Sequence, residues 1–345
     1  MSAIIKHIEW DGKILKVLDQ KRLPKEEQWL ECERVEDVCR VIKDMNIRGA
    51  PLIGIVAAFG VVINVKNNKS HGIEKAINEA IALLSQSRPT AVNLFWALER
   101  MKATYTRNKA REDVVEVLEQ EAYKIWEEDI QISEKMAEYG VQFVESGDRI
   151  LTHCNAGALA TGGYGTALGV IYKANQQGKD ILVYVDETRP VLQGARLTCW
   201  ELKKAKIKYK LISDNMAGFL MNQRKIDKVF VGADRIVKNG GFANKIGTYS
   251  LACLAKKHNI PFYVVAPSSS FDLNLENETQ IPIEYRSREE VIFINEKPIA
   301  PVDSDVENPA FDVTPPELVT AIICEKGIIK PPFTEGISRI FNLGK

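Results

Sequence analysis

The sequence has 345 residues, of which 45% are hydrophobic and 27% charged, a composition typical of soluble globular proteins. This length favours two domains, or one large domain with an appendage. Lys plus Arg and Asp plus Glu both total 46, so no net charge directs the protein toward nucleic acid or a membrane. The first residues lack a basic region followed by an apolar one, so we expect no signal peptide.

Cysteine and histidine usage excludes further classes. The six cysteines are scattered without a CxxC pair, which argues against a zinc site or disulfide framework and favours a reducing compartment. Four scattered histidines give no metal-binding spacing. The longest apolar stretch, APLIGIVAAFGVVINV, is shorter than the roughly 18–20 residues of a membrane span. We therefore predict a cytoplasmic protein without a metal.

The first part of the chain is predicted to be mainly helical. Residues 8–23 read as short strands around the turn Asp11-Gly12, a β-hairpin. From Val35 to about Ser146, apolar residues recur at three- and four-residue spacing, which indicates helices. We therefore predict a helical N-terminal domain with a short β-hairpin over residues 1–127.

The pattern changes after Gly147. Short β-branched runs alternate with helix-compatible segments; the runs are RILTHC, DILVYVDE, KYKLISD, KVFVGAD and PFYVVAP. This alternation is typical of a mostly parallel sheet with helices on its faces. The prediction is an α/β fold class, with a Rossmann-like, doubly wound C-terminal domain over residues 128–345.

Several of these runs end in a polar or reactive residue. The residues at the strand ends are Cys154 with Asn155, Asp186 with Glu187, Asp214, and Asp234. In open α/β sheets the ligand binds just beyond the carboxyl ends of the strands. One such residue at a strand end could arise by chance, but several in succession indicate a functional site.

Three segments place an arginine just before a proline suited to the first turn of a helix. They are NIRGAPLIG (Arg48, Pro51), SRPTAVN (Arg88, Pro89) and ETRPVLQG (Arg189, Pro190). An anion bound at such a helix start would accept hydrogen bonds from the free N–H groups and from the guanidinium. A phosphorylated ligand is the anion that we expect there. A single arginine of this kind is equally explained by a surface carboxylate partner. Three favour a site between the domains.

Other cofactor and catalytic motifs do not fit. Gly163-Tyr164-Gly165 is followed by Gly169, one residue too late for G-x-G-x-x-G, so a nicotinamide site is disfavoured. No P-loop motif occurs. His153 adjoins Cys154, and neighbours on a strand point to opposite faces, which argues against a thiol protease.

Seven further motifs are spread over nearly the whole chain: RGAPLIGIVAAFG, SRPTAVNLFWALERM, LTHCNAGALAT, DETRPVLQGARLT, VGADRI, ANKIGTYSLA and NPAFDVTPPELVTAIICEKG. With these motifs the chain resembles the S-methyl-5-thioribose-1-phosphate isomerases of methionine salvage. Their superfamily includes ribose-1,5-bisphosphate isomerases and regulatory alpha, beta and delta subunits of the translation-initiation exchange factor.

This resemblance implies a homodimeric aldose–ketose isomerase that converts S-methyl-5-thio-α-D-ribose 1-phosphate into the ribulose 1-phosphate without a metal or organic cofactor. It implies Cys154 and Asp234 as the catalytic pair. The implied substrate contacts are Arg48, Gly49, Ala50, Arg88, Gln193, Asn244 and Lys245.

Alternatives remain open from the sequence. A sub-family acting on 5-deoxyribose 1-phosphate shares the motifs, and the two substrates differ only in apolar bulk. Ribose-1,5-bisphosphate isomerase and a non-catalytic phosphosugar or nucleotide sensor are further alternatives. For Asp234 the competing interpretation is a structural cap, and for Cys154 a buried small hydrophobe.

The reaction assigns a role to each implied residue. Asp234 would protonate the ring oxygen, which requires a pKa raised by an apolar, water-poor site. Cys154 would remove the C2 proton as a thiolate, or would shape the transition state of a hydride shift. Lys245 and the arginines would hold the phosphate, and Asn244 and Gln193 the hydroxyls.

Overall fold

The chain is described by a computed structural model over residues 5–88 and 91–342, and it divides into two compact units. The first unit comprises the residues up to Gln131 together with Ala158–Gly165. The second comprises Ile132–Gly157 and the residues from Thr166 onward. The domain limits expected at residues 1–127 and 128–345 stay a prediction.

The first unit opens with an antiparallel sheet and continues with helices. Its strands are β1 (Ile8–Trp10), β2 (Leu15–Leu18) and β3 (Trp29–Cys32). Its helices are α1 (Val35–Lys43), α2 (Ala50–Asn67), α3 (Ile73–Ser85), α4 (Val92–Asn108) and α5 (Val114–Gly140), the last of which ends in the second unit. The predicted hairpin is β1 with β2, and β3 adds a third strand beside β2.

Helix α2 is the central core helix of the first unit. Every residue from Leu52 to Val65 is buried. By length and hydropathy alone its 18 residues would suffice to cross a membrane, so the helix is longer than the apolar stretch suggested. However, 78% of it is buried inside the protein, which is the pattern of a core helix.

The second unit is an α/β structure. Its strands are β4 (Arg149–Thr152), β5 (Leu182–Asp186), β6 (Tyr209–Ile212), β7 (Lys228–Val231), β8 (Arg235–Val237), β9 (Phe242–Lys245), β10 (Phe262–Val265), β11 (Phe271–Asp272), β12 (Phe293–Ile294), β13 (Lys297–Pro298), β14 (Phe311–Thr314), β15 (Ala321–Cys324) and β16 (Gly327–Ile329). Its helices are α6 (Ala167–Gln176), α7 (Cys199–Lys204), α8 (Ala217–Asn222), α9 (Thr248–Lys257), α10 (Glu289–Ile292) and α11 (Phe333–Ile340).

The main sheet of this unit has the strand order β16-β15-β10-β7-β4-β5-β6. All neighbouring pairs are parallel except β15 with β16. The five predicted strands are β4, β5, β6, β7 and β10, so the prediction of a mostly parallel sheet is confirmed. A second sheet, β11-β8-β9-β14, and the hairpin β12-β13 were not predicted.

The strand order locates the point at which a ligand crevice forms. From β4 the chain adds β5 and β6 on one side, and then returns to add β7, β10 and β15 on the other. The order therefore reverses between β4 and β7. At such a switch point the connections leave in opposite directions, which opens a crevice at the carboxyl ends of the two strands.

Candidate active site

Cys154 and Asp234 follow the two strands that flank the switch point. Cys154 comes two residues after β4, and Asp234 comes three residues after β7. The connections after these strands lie close together, because a Cβ atom at Gly232 would be 3.3 Å from the Cβ atom of Ala156. The fold thus brings the segments carrying the two residues to one edge of the sheet.

Cys154 has a strained backbone and a buried side chain. Its φ is 61°, in the left-handed region, and the residue is 9% exposed. For a residue other than glycine this conformation costs about 1–2 kcal/mol. Its N–H donates to Thr188 Oγ1 at 2.8 Å, and its carbonyl accepts from Thr198 Oγ1 at 2.7 Å. Both polar backbone groups are therefore held by threonine hydroxyls.

The residue after Cys154 is anchored to a buried carboxylate. Asn155 Nδ2 donates to Glu201 Oε1 at 2.7 Å, and Tyr172 OH donates to Glu201 Oε2 at 2.6 Å. Burial and the adjacent Glu201 charge raise the pKa of Tyr172 well above its usual range. The Cys154 turn is thereby fixed to the helical segment that carries Glu201.

His153 connects the same turn to two other strand ends. Its Nδ1 lies 2.9 Å from Asp186 Oδ2 at the end of β5, and its Nε2 lies 2.8 Å from the carbonyl oxygen of Ile246 just after β9. Gly247, with φ 104°, lies against the ring, and a Cβ atom there would be 2.9 Å from His153 Cε1. A glycine is required where the chain passes the ring this closely.

The contacts of His153 require a shared proton. The Ile246 carbonyl can only accept, so Nε2 carries a hydrogen, and the contact of Nδ1 with Asp186 needs a second one on either group. Burial raises the pKa of Asp186 to about 6. Burial lowers the pKa of His153. The hydrogen bond with Asp186 and the negative charge of Asp186 together outweigh burial, so the pKa of His153 lies above its ordinary value.

Asp234 and Asn244 lie opposite each other at the smaller sheet, and Lys245 is the next residue of the same strand. Arg235 pairs with Ala243, and the Asp234 N–H donates to the Ala243 carbonyl at 2.9 Å, so Asp234 lies opposite Asn244. Asn244 and Lys245 are buried, and Lys245 Nζ donates to the Ala310 carbonyl at 2.9 Å. Asp234 is exposed, which differs from the water-poor surroundings expected for it, because its segment has already left the main sheet.

Gln193 lies at the start of a π-helical turn, Gly194–Thr198. It is 5% exposed, and its Oε1 has no hydrogen-bond partner among the described residues. Gly194 lets the turn approach β5, since a Cβ atom there would be 1.8 Å from the Asp186 carbonyl oxygen. The prediction that Pro190 begins a helix is wrong, because residues 189–192 form turns and helical structure follows only after them.

Asp214 and Arg189 are engaged with backbone groups. Asp214 accepts from the N–H groups of Thr188 and Arg189, both at 2.7 Å, and the Arg189 guanidinium donates to the Pro190 and Val291 carbonyls. His153, Asp186 and Asp214 are close enough to hold a metal ion. Asp186 Oδ1 has no hydrogen-bond partner among the described residues. Both nitrogens of His153 and both carboxylate oxygens of Asp214 already have partners, however, which makes the set a poor fit to a metal site.

The first unit contains the remaining implied residues. Gly49, with φ 94°, precedes α2, and a Cβ atom there would lie 2.1 Å from the carbonyl oxygen of Ala160. Pro51 lies in the first turn of α2 as predicted, no side chain caps that turn, and Ala50 is exposed. Arg48 therefore stands beside free helix N–H groups, the arrangement that favours an anion.

Arg88 precedes the neighbouring helix, α4. The starts of α2 and α4 lie together, because a Cβ atom at Gly54 would be 2.9 Å from the carbonyl oxygen of Asn93. Arg48 and Arg88 are both half-buried. The predicted helix position of Pro89 lies outside the described residues.

Sequence reasoning did not identify His153, Thr188, Thr198 or Glu201 as parts of the site. Their bonds to the Cys154 turn and its neighbours span between 33 and 93 residues of sequence, so no local pattern reveals them. One usable signal was present. A polar residue in an apolar strand, such as His153 after RILT, needs a buried partner, and Asp186 at the end of the next run was available.

The chain matches the model of the initiation factor 2 subunit family over residues 46–331. The methylthioribose-1-phosphate isomerase of Caldicellulosiruptor saccharolyticus is 56% identical over 97% of this chain and 99% of its own length. The crystal structure of 5-methylthioribose 1-phosphate isomerase from Pyrococcus horikoshii is 43% identical, with a TM-score of 0.94, over 100% of this chain and 97% of that one. A structure titled translation initiation factor eIF-2B, subunit delta, from A. fulgidus is 44% identical, with a TM-score of 0.92, over 98% and 100%.

We predict that Asp186→Asn changes how stability depends on pH. In the wild type the raised pKa of His153 lets the folded pair keep a proton that an unfolded histidine releases near pH 6.5. The stabilisation contributed by His153 is therefore full below that pH and falls as pH rises through the raised pKa. In the variant, the asparagine amide donates a hydrogen bond to Nδ1 of neutral His153, so the pair no longer holds the proton that is shared in the wild type. The wild type should lose up to about 1.4 kcal/mol per pH unit relative to the variant across this range.

The measurement is the urea midpoint of both proteins between pH 6 and pH 9. Asp214 and Asp312 are the other carboxyl groups whose charges act on His153, and they are unchanged in the comparison. Parallel curves for the two proteins would contradict a shared proton.

Proposed function

The chain belongs to the initiation factor 2 subunit family, and we propose that it converts S-methyl-5-thio-α-D-ribose 1-phosphate into S-methyl-5-thio-D-ribulose 1-phosphate in methionine salvage. Relatives at more than 50% identity over nearly their full length carry the name methylthioribose-1-phosphate isomerase. The isomerase activity expected from the sequence agrees with these names. The single structural observation that supports it is a cysteine and an aspartate after the two strands that flank the switch point.

The first chemical task is ring opening. The phosphate on C1 prevents opening to a free aldehyde, so the ring oxygen must be protonated as its bond to C1 breaks. We assign this proton to Asp234, whose backbone lies across from Asn244 on the smaller sheet. Because Asp234 is exposed, the bound substrate itself must displace the water around it before the carboxyl group serves as an acid near neutral pH.

The second task moves a hydrogen from C2 to C1. In one route the Cys154 thiolate removes the C2 proton, the C1–C2 enol phosphate forms, and the thiol returns the proton to C1. In the other, hydride passes directly from C2 to C1 beside Cys154. In both routes the C2 hydroxyl loses its proton to Asp234, which restores the acid for the next turnover.

The remaining implied residues would bind the substrate. Buried Lys245 supplies a cation, and Gln193 offers an amide oxygen that has no partner in the described residues and suits a sugar hydroxyl. Asn244 would bind a second hydroxyl. Arg48, Gly49, Ala50 and Arg88, at two adjacent helix starts of the first unit, would contribute phosphate contacts.

The family also supports a second candidate, a non-catalytic regulatory subunit, because one relative at 44% identity bears a translation-factor title. A sensor needs the phosphate contacts but does not need a strained cysteine and an acid at the ends of neighbouring strands. Turnover therefore separates the two candidates.

We further propose that the protein is a cytoplasmic homodimer. All six cysteines are free thiols, in keeping with a reducing compartment. Strand β6 forms one edge of the main sheet, and three apolar side chains are exposed beside it: Leu211 at 50%, Met216 at 48% and Phe219 at 64%. An apolar patch on a sheet edge is a typical site for a second copy.

The substrate is tested by measuring kcat/KM on methylthioribose 1-phosphate, 5-deoxyribose 1-phosphate and ribose 1,5-bisphosphate. We expect the highest value for the methylthio compound, about 10- to 200-fold above the deoxy compound, since they differ only in apolar bulk. Running the reaction in deuterated water reports the route, because deuterium at C1 indicates proton transfer. Equal or higher kcat/KM on 5-deoxyribose 1-phosphate would contradict the proposed substrate.

Cys154→Ala and Asp234→Asn should each lower kcat by about a hundredfold to ten-thousandfold, which is the rate enhancement that a general acid or base usually provides. Phosphosugar affinity, measured by calorimetry, should change little, because neither side chain is assigned to phosphate binding. Cys324→Ala is the matched control, since that thiol is buried within β15 and should be dispensable. Near-normal kcat in both variants would refute the mechanism.

Phe219→Glu should convert a dimer into a monomer in sedimentation velocity, because it places a charge within the apolar patch. Tyr285→Glu is the control, since Tyr285 is 67% exposed but lies outside the patch. A wild-type monomer would contradict the dimer, and a dimeric Phe219→Glu variant would contradict this surface.

A further inference from the structure

Strand β4, which ends just before Cys154, does not account for the left-handed backbone conformation of this residue. Its φ of 61° is one that non-glycine residues adopt rarely. Such a conformation persists only where the surrounding structure determines it, and it concentrates at functional sites. The question is which groups hold it.

The Thr188 hydroxyl holds the N–H group. Cys154 N donates to Thr188 Oγ1 at 2.8 Å, and the hydroxyl in turn donates to the Asp186 carbonyl at 3.1 Å. Thr188 is fully buried and itself has a φ of 64°. Its own N–H donates to Asp214 Oδ1 at 2.7 Å, so its position is fixed from both sides.

The Thr198 hydroxyl holds the carbonyl group. Thr198 Oγ1 donates to the Cys154 carbonyl at 2.7 Å and accepts from Asn155 Nδ2 at 3.1 Å. Thr198 is also fully buried and ends the π-helical turn that begins at Gly194. Single π-helical turns occur frequently at functional sites, because they re-aim side chains within a helix.

We propose that Thr188 and Thr198 are positioning residues that hold Cys154 in its left-handed conformation and so direct Sγ toward the substrate. The hydrogen-bond directions support this, because each hydroxyl donates its single proton to a carbonyl oxygen and accepts a hydrogen bond from an N–H group. Neither threonine needs to touch the substrate. The proposal rests on the proposed function, in which Cys154 acts on C2.

The test compares Thr188→Val and Thr198→Val, which keep shape and remove the hydroxyl, with the corresponding serine variants. We expect kcat to fall about tenfold to a hundredfold in the valine variants, because small misplacements of a reacting group have effects of this size. KM should change little, and serine should restore most of kcat. Thr314→Val is the matched control, since Thr314 is fully buried and its hydroxyl has no partner among the described residues.

A second readout is the rate at which iodoacetamide alkylates Cys154, followed by mass spectrometry of its peptide. The valine variants should change this rate, whereas Thr314→Val should not. If a valine variant does not fold, the alanine variant at the same position takes its place in the comparison. Wild-type kcat and alkylation in the valine variants, or serine variants as impaired as valine ones, would overturn the proposal. A changed alkylation rate with unchanged kcat would support the positioning and refute catalysis by Cys154.

Discussion

The two hydrogen bonds of one buried imidazole fix the relation among three parts of the candidate site. The ring of His153 binds the carboxyl group at the end of β5 and the carbonyl of Ile246 after β9. Cys154 directly follows this histidine, and Lys245 directly precedes Ile246. A buried imidazole whose two nitrogens are both hydrogen-bonded has one allowed orientation. It therefore holds the segment of Cys154 and the segment of Lys245 in a fixed position relative to each other. The geometry of the proposed chemistry therefore depends on a histidine to which we assign no chemical step.

Sequence patterns predicted the parts of the fold that depend on local periodicity. The five β-branched runs became parallel strands because both faces of such a sheet are buried, which leaves a continuous apolar run in the sequence. The strands Trp29–Cys32 and Phe242–Lys245 were missed because they carry Glu31, and Asn244 with Lys245, in place of such a run. Their pairing is decided by tertiary contacts, which outweigh local propensity.

The candidate site was predictable to a similar extent. The strand-end rule placed Cys154 and Asp234 at the carboxyl edge of the sheet together with Asp186 and Asp214, because the rule needs only strand order and the carboxyl ends. The family resemblance, and not this rule, singled out Cys154 and Asp234 as the predicted catalytic pair. The strand-end rule did not reveal the left-handed backbone of Cys154 or the threonines that bind it, since those bonds join residues 34 and 44 positions apart. Nor did it reveal the exposure of Asp234, which depends on where the chain turns after β7. Position along a sheet is readable from sequence, but surroundings are not.

The glycine-rich stretch after Cys154 is explained by packing. Side chains at Gly157, Gly162 and Gly163 would collide with Glu201, Trp126 and Ile130, at distances of 2.3, 2.6 and 2.9 Å. In a dinucleotide-binding turn the glycines instead clear space for a pyrophosphate, and the helix begins directly behind them. Here the stretch from Ala158 to Gly165 belongs to the first unit, and α6 begins only at Ala167. These glycines therefore serve the protein's own contacts, and the feature of this segment to which we assign a chemical role is the thiol of Cys154.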